Sequence, residues 1–441
     1  MKELIIRWRK YSLFERLFSL YIILLPVMKI DGLPVVGSKI QLSEIVFIPL
    51  FFAWVLEFVK QRKIAFPEVS FLLLGIILIS LVSLIKTINL QKGILELLGL
   101  FYLSILFFLI VNFCNSEKRI NIFLNSWMIG VGIVVICGLT GLLLTYIFHI
   151  ENPFNLYYPG LNVHRLISTF RNPNMLASYL LISTVFISAY AFNLNGRKYI
   201  GLFFIFVLFF ISLFTVSRVI TGIIFCLTLI LNQIELKHIL LKRITVFGLT
   251  LMFVVLMTGI VVTSQWIIFP IKFSLSDAHP YLKLNLAPSA YKVMNNASIS
   301  IISQHPFTGA GIGSHGYWLE RFPEWTNGAS RDPSGIYHGW GQKMDIHNTY
   351  LGWGAEIGLI GLCFILAFFL TIVWKVWKFY KTSENEKLKQ LSYFVLLGMI
   401  GMMISGFTLN ILTLRHFWAL IGFTVSLYVL KKYNEDFINL A

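Results

Sequence analysis

Charged residues are scarce in this 441-residue sequence. Asp, Glu, Lys and Arg make up 13% of the chain, about half the share of a typical soluble domain. Hydrophobic residues make up 57% and aromatic residues 16%. No single soluble core could bury so many apolar side chains, so lipid must solvate much of the surface. The composition therefore predicts an all-α protein that crosses a membrane many times.

Cysteine is also rare, and the common cofactor motifs are missing. The four cysteines lie in or beside apolar segments, without metal-binding spacing or an obvious disulfide pairing. The sequence contains no Walker loop and no dinucleotide-binding glycine pattern. We therefore expect no cofactor, no metal and no nucleotide substrate, and nothing here suggests nucleic acid as a partner.

Twelve apolar stretches are long enough to span a bilayer. They are predicted at about 13–30, 41–59, 69–86, 94–113, 127–149, 174–192, 199–216, 217–232, 244–266, 348–373, 391–411 and 416–430. The seventh and eighth meet at "FTVSRVIT" (214–221), where a tight hairpin is expected because one unbroken helix would be too long. The basic start leads into a first span that no small-residue cleavage site follows, so we expect it to be retained.

The basic residues predict the orientation. With a cytoplasmic N-terminus and alternating spans, 22 of the 36 Lys and Arg residues face the cytoplasm. Six of the remaining 14 lie in one long loop, where the positive-inside rule carries little weight. The comparison of 22 with eight favours a cytoplasmic location for both termini. The domains are then spans 1–9 (1–266), a large extracytoplasmic loop (267–347), and spans 10–12 with the tail (348–441).

Polar residues cluster at the predicted outer surface. The long loop contains "HPFTGAGIGSHGYWLERF" (305–322), whose glycines allow tight turns and close backbone approach. Its aromatic residues Trp318 and Trp340 suit stacking on sugar rings, or equally a place in the interfacial aromatic belt. The remaining candidates come from three other connections and from the end of the long loop, and are Arg171, Asn172, Asn174, Arg218, His347, Asn348 and Arg415.

These residue types suit a lipid-linked phosphate substrate. Arginine holds phosphate through a planar, permanently charged fork, and a neutral histidine accepts a proton. Structural alternatives stand beside this: arginines at span ends often anchor in the interface. Asn348 and Thr349 could simply cap the tenth helix, with His347 as a bystander. Glu356, inside a span, could support the site, transfer a proton or pair with a cation.

Four ordered motifs resemble those of the O-antigen ligase and O-antigen polymerase superfamily. They are "TFRNPNMLASYL" (169–180), "TVSR" (215–218), "HPFTGAGIGSHGYW" (305–318) and "HNTYLGWGAEIGLIGL" (347–362). The resemblance covers roughly residues 165 to 415.

This resemblance implies a metal-independent, inverting glycosyltransferase of the GT-C architecture. Its donor would be a glycan on undecaprenyl pyrophosphate, and its acceptor lipid A-core or another lipid-linked repeat unit, with a chain-length regulator as a further partner. The family pattern places the reaction on the outer side of the bacterial inner membrane, with pyrophosphate binding by Arg218 and acceptor activation by His347, and the Glu of the same family helix matches Glu356.

The sequence departs from the ligases at one point. Where ligases have a second Arg followed by a Trp, this chain reads "SAYKVMNNASISIISQHP", with Lys292 as the available charge. Lysine lacks the planar fork, which favours a polymerase-type enzyme. The competing hypotheses are a lipid-linked-sugar flippase, for which broken helices and paired repeats would be expected, and a non-catalytic scaffold of an export complex.

Overall fold

The structure is a computed structural model of the full chain. It describes residues 11–28, 41–61, 64–158, 163–193, 198–217, 220–224, 227, 266–270, 284–288, 290–321 and 347–438. The helices are α1 (Leu13–Leu24), α2 (Leu42–Gln61), α3 (Val69–Ser83), α4 (Leu90–Phe113), α5 (Glu117–Tyr146), α6 (Pro173–Asn193), α7 (Lys198–Leu213), α8 (Ala290–Gln304), α9 (His315–Arg321), α10 (Thr349–Thr382), α11 (Glu386–Ser405) and α12 (Arg415–Ile438). Short 3₁₀ helices cover Leu84–Lys86 and Ile411–Thr413.

The described part of the chain is almost entirely helical. Two antiparallel hairpins provide its strands: β1 (Asn155–Tyr158) with β2 (Val163–Leu166), and β3 (Trp266–Pro270) with β4 (Leu284–Pro288). Within the described ranges, seven helices are long and apolar enough to cross a membrane. The prediction of an all-α, multi-pass membrane protein is therefore confirmed. The eighth and ninth predicted spans lie largely outside the described residues.

Helix α6 occupies the centre of the bundle and α2 its edge. Within its spanning window, 89% of α6 is buried against other parts of the chain, compared with 11% of α2. The buried hydroxyls of Ser183, Thr184 and Ser188 each donate to the carbonyl four residues earlier in α6. Their hydrogen bonds are thus satisfied inside the helix, and their small side chains let neighbouring helices approach closely.

The first helix is shorter than its predicted span, 13–30. Helix α1 ends at Leu24, because Pro26 lacks the backbone N–H that would continue the helical hydrogen bonds, although Leu25 still has helical geometry. The carbonyl of Pro26 is instead used by the hydroxyl of Thr169, 2.8 Å away. At its start α1 has a capping box formed by Ser12 and Glu15.

The two ends of the bundle differ in their chemistry. At one end, Glu15 accepts from Lys118 at 2.8 Å, and Arg119 donates to Glu57 at 2.7 Å, joining α1, α2 and α5. At the other end, the connections 305–318 and 409–411 contact the start of α10, and the connection 84–92 contacts 305–318. We call this the loop end of the bundle, and it contains every sequence-predicted site residue that the structure describes.

Candidate functional site

Helix α10 is broken at Gly358, and the loop 305–314 fills the break. Gly358 has φ 77° and ψ 174°, so the helical hydrogen-bond ladder is interrupted there. The freed carbonyls of Ala355 and Glu356 accept from the N–H groups of Ala310 (2.8 Å) and Gly311 (3.0 Å). The freed N–H of Leu359 donates to the carbonyl of Pro306 at 2.7 Å. Two of the four motifs thus form one hydrogen-bonded unit.

The glycines of "GAGIG" are required by this contact. Gly309, Gly311 and Gly313 have φ values of 67°, 99° and 74°, a region that side chains disfavour. A Cβ on Gly309 would lie 2.3 Å from the carbonyl oxygen of Glu356, and one on Gly358 would lie 2.2 Å from that of Phe307. Neither contact leaves room for a side chain, so the two backbones touch directly.

The same loop also docks on the connection between α3 and α4. The hydroxyl of Thr87 donates to the carbonyl of Ile312 at 3.0 Å, and the N–H of Ile88 donates to the hydroxyl of Ser314 at 3.0 Å. The ammonium of Lys86 donates to the hydroxyl of Thr308 at 2.7 Å. The loop is therefore held between the start of α4 and the break in α10.

These contacts gather a cluster of ionisable groups around Glu356. Its carboxylate accepts from the N–H of His315 at 3.2 Å and from the N–H of Gly313, and it is 6% exposed. Lys92 and Glu96, one turn apart on α4, both interact electrostatically with it. A carboxylate in a membrane helix is costly, and the backbone donors of the loop offset part of that cost.

His315 is held neutral beside this carboxylate. Burial lowers its pKa to about 4, with the charges of Lys92 and His347 contributing in the same direction. Its Nε2 lies 2.8 Å from the hydroxyl of Ser298, whereas its buried Nδ1 has no hydrogen-bond partner among the described residues. A neutral imidazole cannot neutralise phosphate charge, so His315 can only exchange hydrogen bonds or position its neighbours.

The other two motifs meet through Arg165. Its Nε donates to the carbonyl of Thr215 at 2.8 Å, and its Nη2 donates to the amide oxygen of Asn174 at 3.1 Å. "TVSR" and "TFRNPN" are thereby joined on strand β2. Arg218 itself lies outside the described residues.

The start of α12 links the two pairs of motifs. His416 is fully buried, with Nε2 2.7 Å from the hydroxyl of Ser178 in the first motif. The neighbouring Arg415 lines a cavity together with Trp353 of the fourth motif. The loop end therefore brings described residues of all four motifs into one connected region.

Several predicted site residues have clear structural contacts. Asn348 caps α10, its side chain accepting from the N–H groups of Tyr350 and Leu351 at 3.1 Å each. Asn172 accepts from the N–H of Asn174 at 2.7 Å at the start of α6. His347 is half-buried and precedes the α10 cap, and Arg171 is exposed. The backbone of Lys292 lies in α8, but its side chain is outside the described part, as is all of Trp340.

His315 and Lys92 belong to the cluster around Glu356, although no sequence pattern assigned them to the site. His315 lies within the third motif, but the sequence "GSHGYW" does not indicate that its backbone N–H donates to Glu356. Lys92 lies in the first turn of an apolar helix, where a lysine commonly lies at the membrane surface without a specific role. Trp318, expected at a sugar or an interface, is partly buried and packs beside Ile301, Ala310 and Ala355.

Comparisons with known proteins add nothing to this geometry: no protein-family model matches the chain, and no curated protein matches it. Among the described residues, no group of three His, Cys, Asp or Glu side chains could hold a metal ion.

Proposed function

We propose that the protein is a membrane glycosyltransferase that transfers or polymerises glycans linked to undecaprenyl pyrophosphate. In this proposal it has twelve spans, a GT-C-like architecture and an active site on the outer face of the bacterial inner membrane. The observation that carries the proposal is the junction of the loop 305–314 with the break in α10. It brings His315, Lys92 and Glu96 to Glu356, close to the start of the helix that His347 precedes.

The roles follow from the chemistry of these groups. His347, half-buried beside the cluster, would accept the proton of the attacking sugar hydroxyl. Arg218 would bind the pyrophosphate, as the family pattern implies, and Thr215 of the same motif accepts from Arg165, which also donates to Asn174. Arginine can stabilise the charge that develops on this leaving group without a metal. Glu356 would fix the loop rather than touch substrate, because its described contacts are backbone donors.

The contacts make a polymerase or a ligase equally compatible with the site. The side chain of Lys292, which stands where ligases have a second arginine, is not described. Lys92 supplies a cation at the cluster, but an ammonium lacks the bidentate fork of arginine. The acceptor therefore decides between the two activities, and the experiment below separates them.

One observation favours the flippase alternative: α10 is a broken helix with an acidic residue beside the break. In transporters, such breaks line the substrate cavity at the bilayer centre. Here the loop 305–314 fills the break with its own backbone. Among the described helices, α10 alone contains a residue with positive φ, so none of the other described helices has a break of this kind. The enzyme hypothesis accounts better for this arrangement.

The test uses the source bacterium with its gene deleted and complemented by wild type or His347→Ala at matched membrane levels. Surface glycans and the lipid-linked pool are separated on gels. We expect His347→Ala to lose surface polymer. Single repeat units accumulating on the lipid would identify a polymerase, and full-length glycan stranded on the lipid would identify a ligase.

A matched control is His149→Asn. His149 is an exposed histidine after α5 with φ 55°, a conformation that asparagine tolerates, so this variant should restore the wild-type glycan pattern. Repeat units trapped on the cytoplasmic face, or an unchanged glycan pattern in His347→Ala, would refute the transferase.

A further inference from the structure

A half-open cavity of about 220 Å³ lies at the loop end, beside the cluster around Glu356. Glu96, Gly99, Leu100 and Leu103 of α4 line one wall, and their spacing places them on one helix face. Glu96 also interacts electrostatically with Glu356. The cavity and the proposed reaction site therefore share a wall.

The opposite walls of the cavity carry polar groups from three other elements. These are Gln41 and Glu44 at the start of α2, Thr413 in the turn, and Arg415 at the start of α12. Arg415 is 6% exposed, and its Nη1 donates to the hydroxyl of Ser43 at 2.6 Å and lies 3.6 Å from Glu44.

Two polar atoms at this cavity have no hydrogen-bond partner. They are Nη2 of Arg415 and the amide oxygen of Gln41, both buried and both unpaired among the described residues. An unpaired buried donor or acceptor is costly. A hydroxyl group both donates and accepts hydrogen bonds. Hydroxyl groups of a ligand could therefore pair with both the guanidinium nitrogen and the amide oxygen.

The charged side chains that line the cavity favour an uncharged ligand. The described residues that line the cavity include two carboxylates, Glu44 and Glu96, and one guanidinium, Arg415, which Glu44 already faces. A phosphate or a uronic acid would add negative charge to this surplus and be repelled.

The volume of the cavity limits the size of the ligand. It is below the roughly 300–1,000 Å³ of pockets for drug-sized ligands, and it fits one small ring. Trp353 adds an aromatic surface whose N–H is already bound to Asn410 at 3.1 Å.

We propose that this cavity binds one uncharged sugar ring through its hydroxyl groups, and that this ring is the end of the acceptor glycan. The second half of this proposal rests on the proposed function. Arg415 then contacts a sugar hydroxyl rather than the pyrophosphate, which stays with Arg218. The shared wall formed by Glu96 sets the ring beside the cluster at Glu356.

A larger side chain at Gly99 would fill the cavity without a clash at its Cβ. A Cβ built on Gly99 meets no atom within 4 Å, and the same is true of Gly132 in α5, which does not line the cavity. Gly99→Leu and Gly132→Leu both replace a helical glycine with a better helix former. The first should occupy the cavity and the second should not, so Gly132→Leu is the matched control.

The experiment is saturation-transfer-difference NMR on the full-length purified protein, without any lipid-linked donor. The probes are free galactose, mannose, N-acetylglucosamine and glucuronate. We expect saturation transfer to at least one uncharged sugar in wild type and Gly132→Leu, and its loss in Gly99→Leu. Glucuronate should give no signal with wild type, and a signal should emerge with Glu96→Gln, which keeps the cavity's shape and removes the surplus charge.

The inference is overturned if no uncharged sugar gives a signal with wild type, if glucuronate binds wild type as well as they do, or if binding survives Gly99→Leu. Sugar binding without any glycan phenotype in the deletion strain would instead refute the proposed function and leave the binding site in place. The two failures are therefore distinguishable.

Discussion

Glu356 shows how a single buried carboxylate can be used for architecture. It lies in a span, and its described hydrogen bonds come from the backbone of a loop that precedes it by about forty residues. The sequence indicated that this carboxylate needed an explanation, because acidic residues inside spans are rare. Its partners could not be predicted, since backbone donors carry no side-chain signal.

The first prediction concerns Glu356→Gln. Glutamine keeps one acceptor oxygen for the loop but replaces the other with a donor, so one backbone N–H loses its partner at a cost of about 1–3 kcal/mol. We expect a lower melting temperature and partial glycan synthesis in the complemented deletion strain. Glu384→Gln, in the exposed connection between α10 and α11, should behave as wild type.

A well-folded Glu356→Gln protein with no activity would contradict the supporting role. It would move Glu356 into the proton transfer itself, because only the ionisable group would then have been removed. Thermal unfolding of the purified variant distinguishes this outcome from simple loss of the folded protein.

The sequence predicted the role of a residue correctly where that role depends on neighbouring residues in the chain. Asn348 before a helical run is a typical N-cap, and the structure shows that cap. His315 and Arg165 could not be assigned in this way. Their contacts, to Glu356 and Thr215, join residues 41 and 50 positions apart, and such pairings are fixed by the packing of whole elements.

At the scale of elements, hydropathy located the long helices but not the break in α10. Gly358 resembles Gly352, Gly354 and Gly361 in an apolar run, and nothing local distinguishes it. Only the arrival of Phe307 and Gly309 explains why this glycine leaves helical geometry. The cost of a broken membrane helix is offset because the loop satisfies the freed backbone groups.

The second prediction concerns Gly358→Ala. Alanine at φ 77° and ψ 174°, a region that glycine alone adopts readily, costs about 1–3 kcal/mol from backbone strain, and its Cβ would clash with the carbonyl of Phe307. We expect a clear drop in melting temperature and loss of glycan synthesis. Gly132→Ala, at an uncrowded helical glycine, should be neutral or slightly stabilising. Unchanged stability of Gly358→Ala would mean that the loop does not dock at the break.

At the scale of the whole molecule, composition was sufficient to predict the class. Scarce charge and long apolar runs predicted a helical membrane protein, and the described helices confirm this. The number of spans and the orientation stay predictions. The number of spans depends on the eighth and ninth predicted spans, which lie largely outside the described residues. The orientation depends on the distribution of basic residues between the two sides of the membrane.

The third prediction tests the orientation by cysteine labelling in intact cells. In a variant without its four native cysteines, a cysteine is placed at Ser303 of α8 or at Glu384 between α10 and α11, both exposed. A membrane-impermeant maleimide should label Ser303→Cys directly, and Glu384→Cys only after permeabilisation. The reverse pattern would invert the topology inferred from the basic residues.

The junction between the loop 305–314 and α10 also constrains how the protein is made. The ribosome synthesises the loop before Gly358, so the loop has no docking site until α10 has been inserted. Until then, the carbonyls of Ala355 and Glu356 lack the donors that they have in the folded protein. Insertion and maturation of the site are therefore coupled: a chain truncated before α10 retains the loop but cannot complete the site.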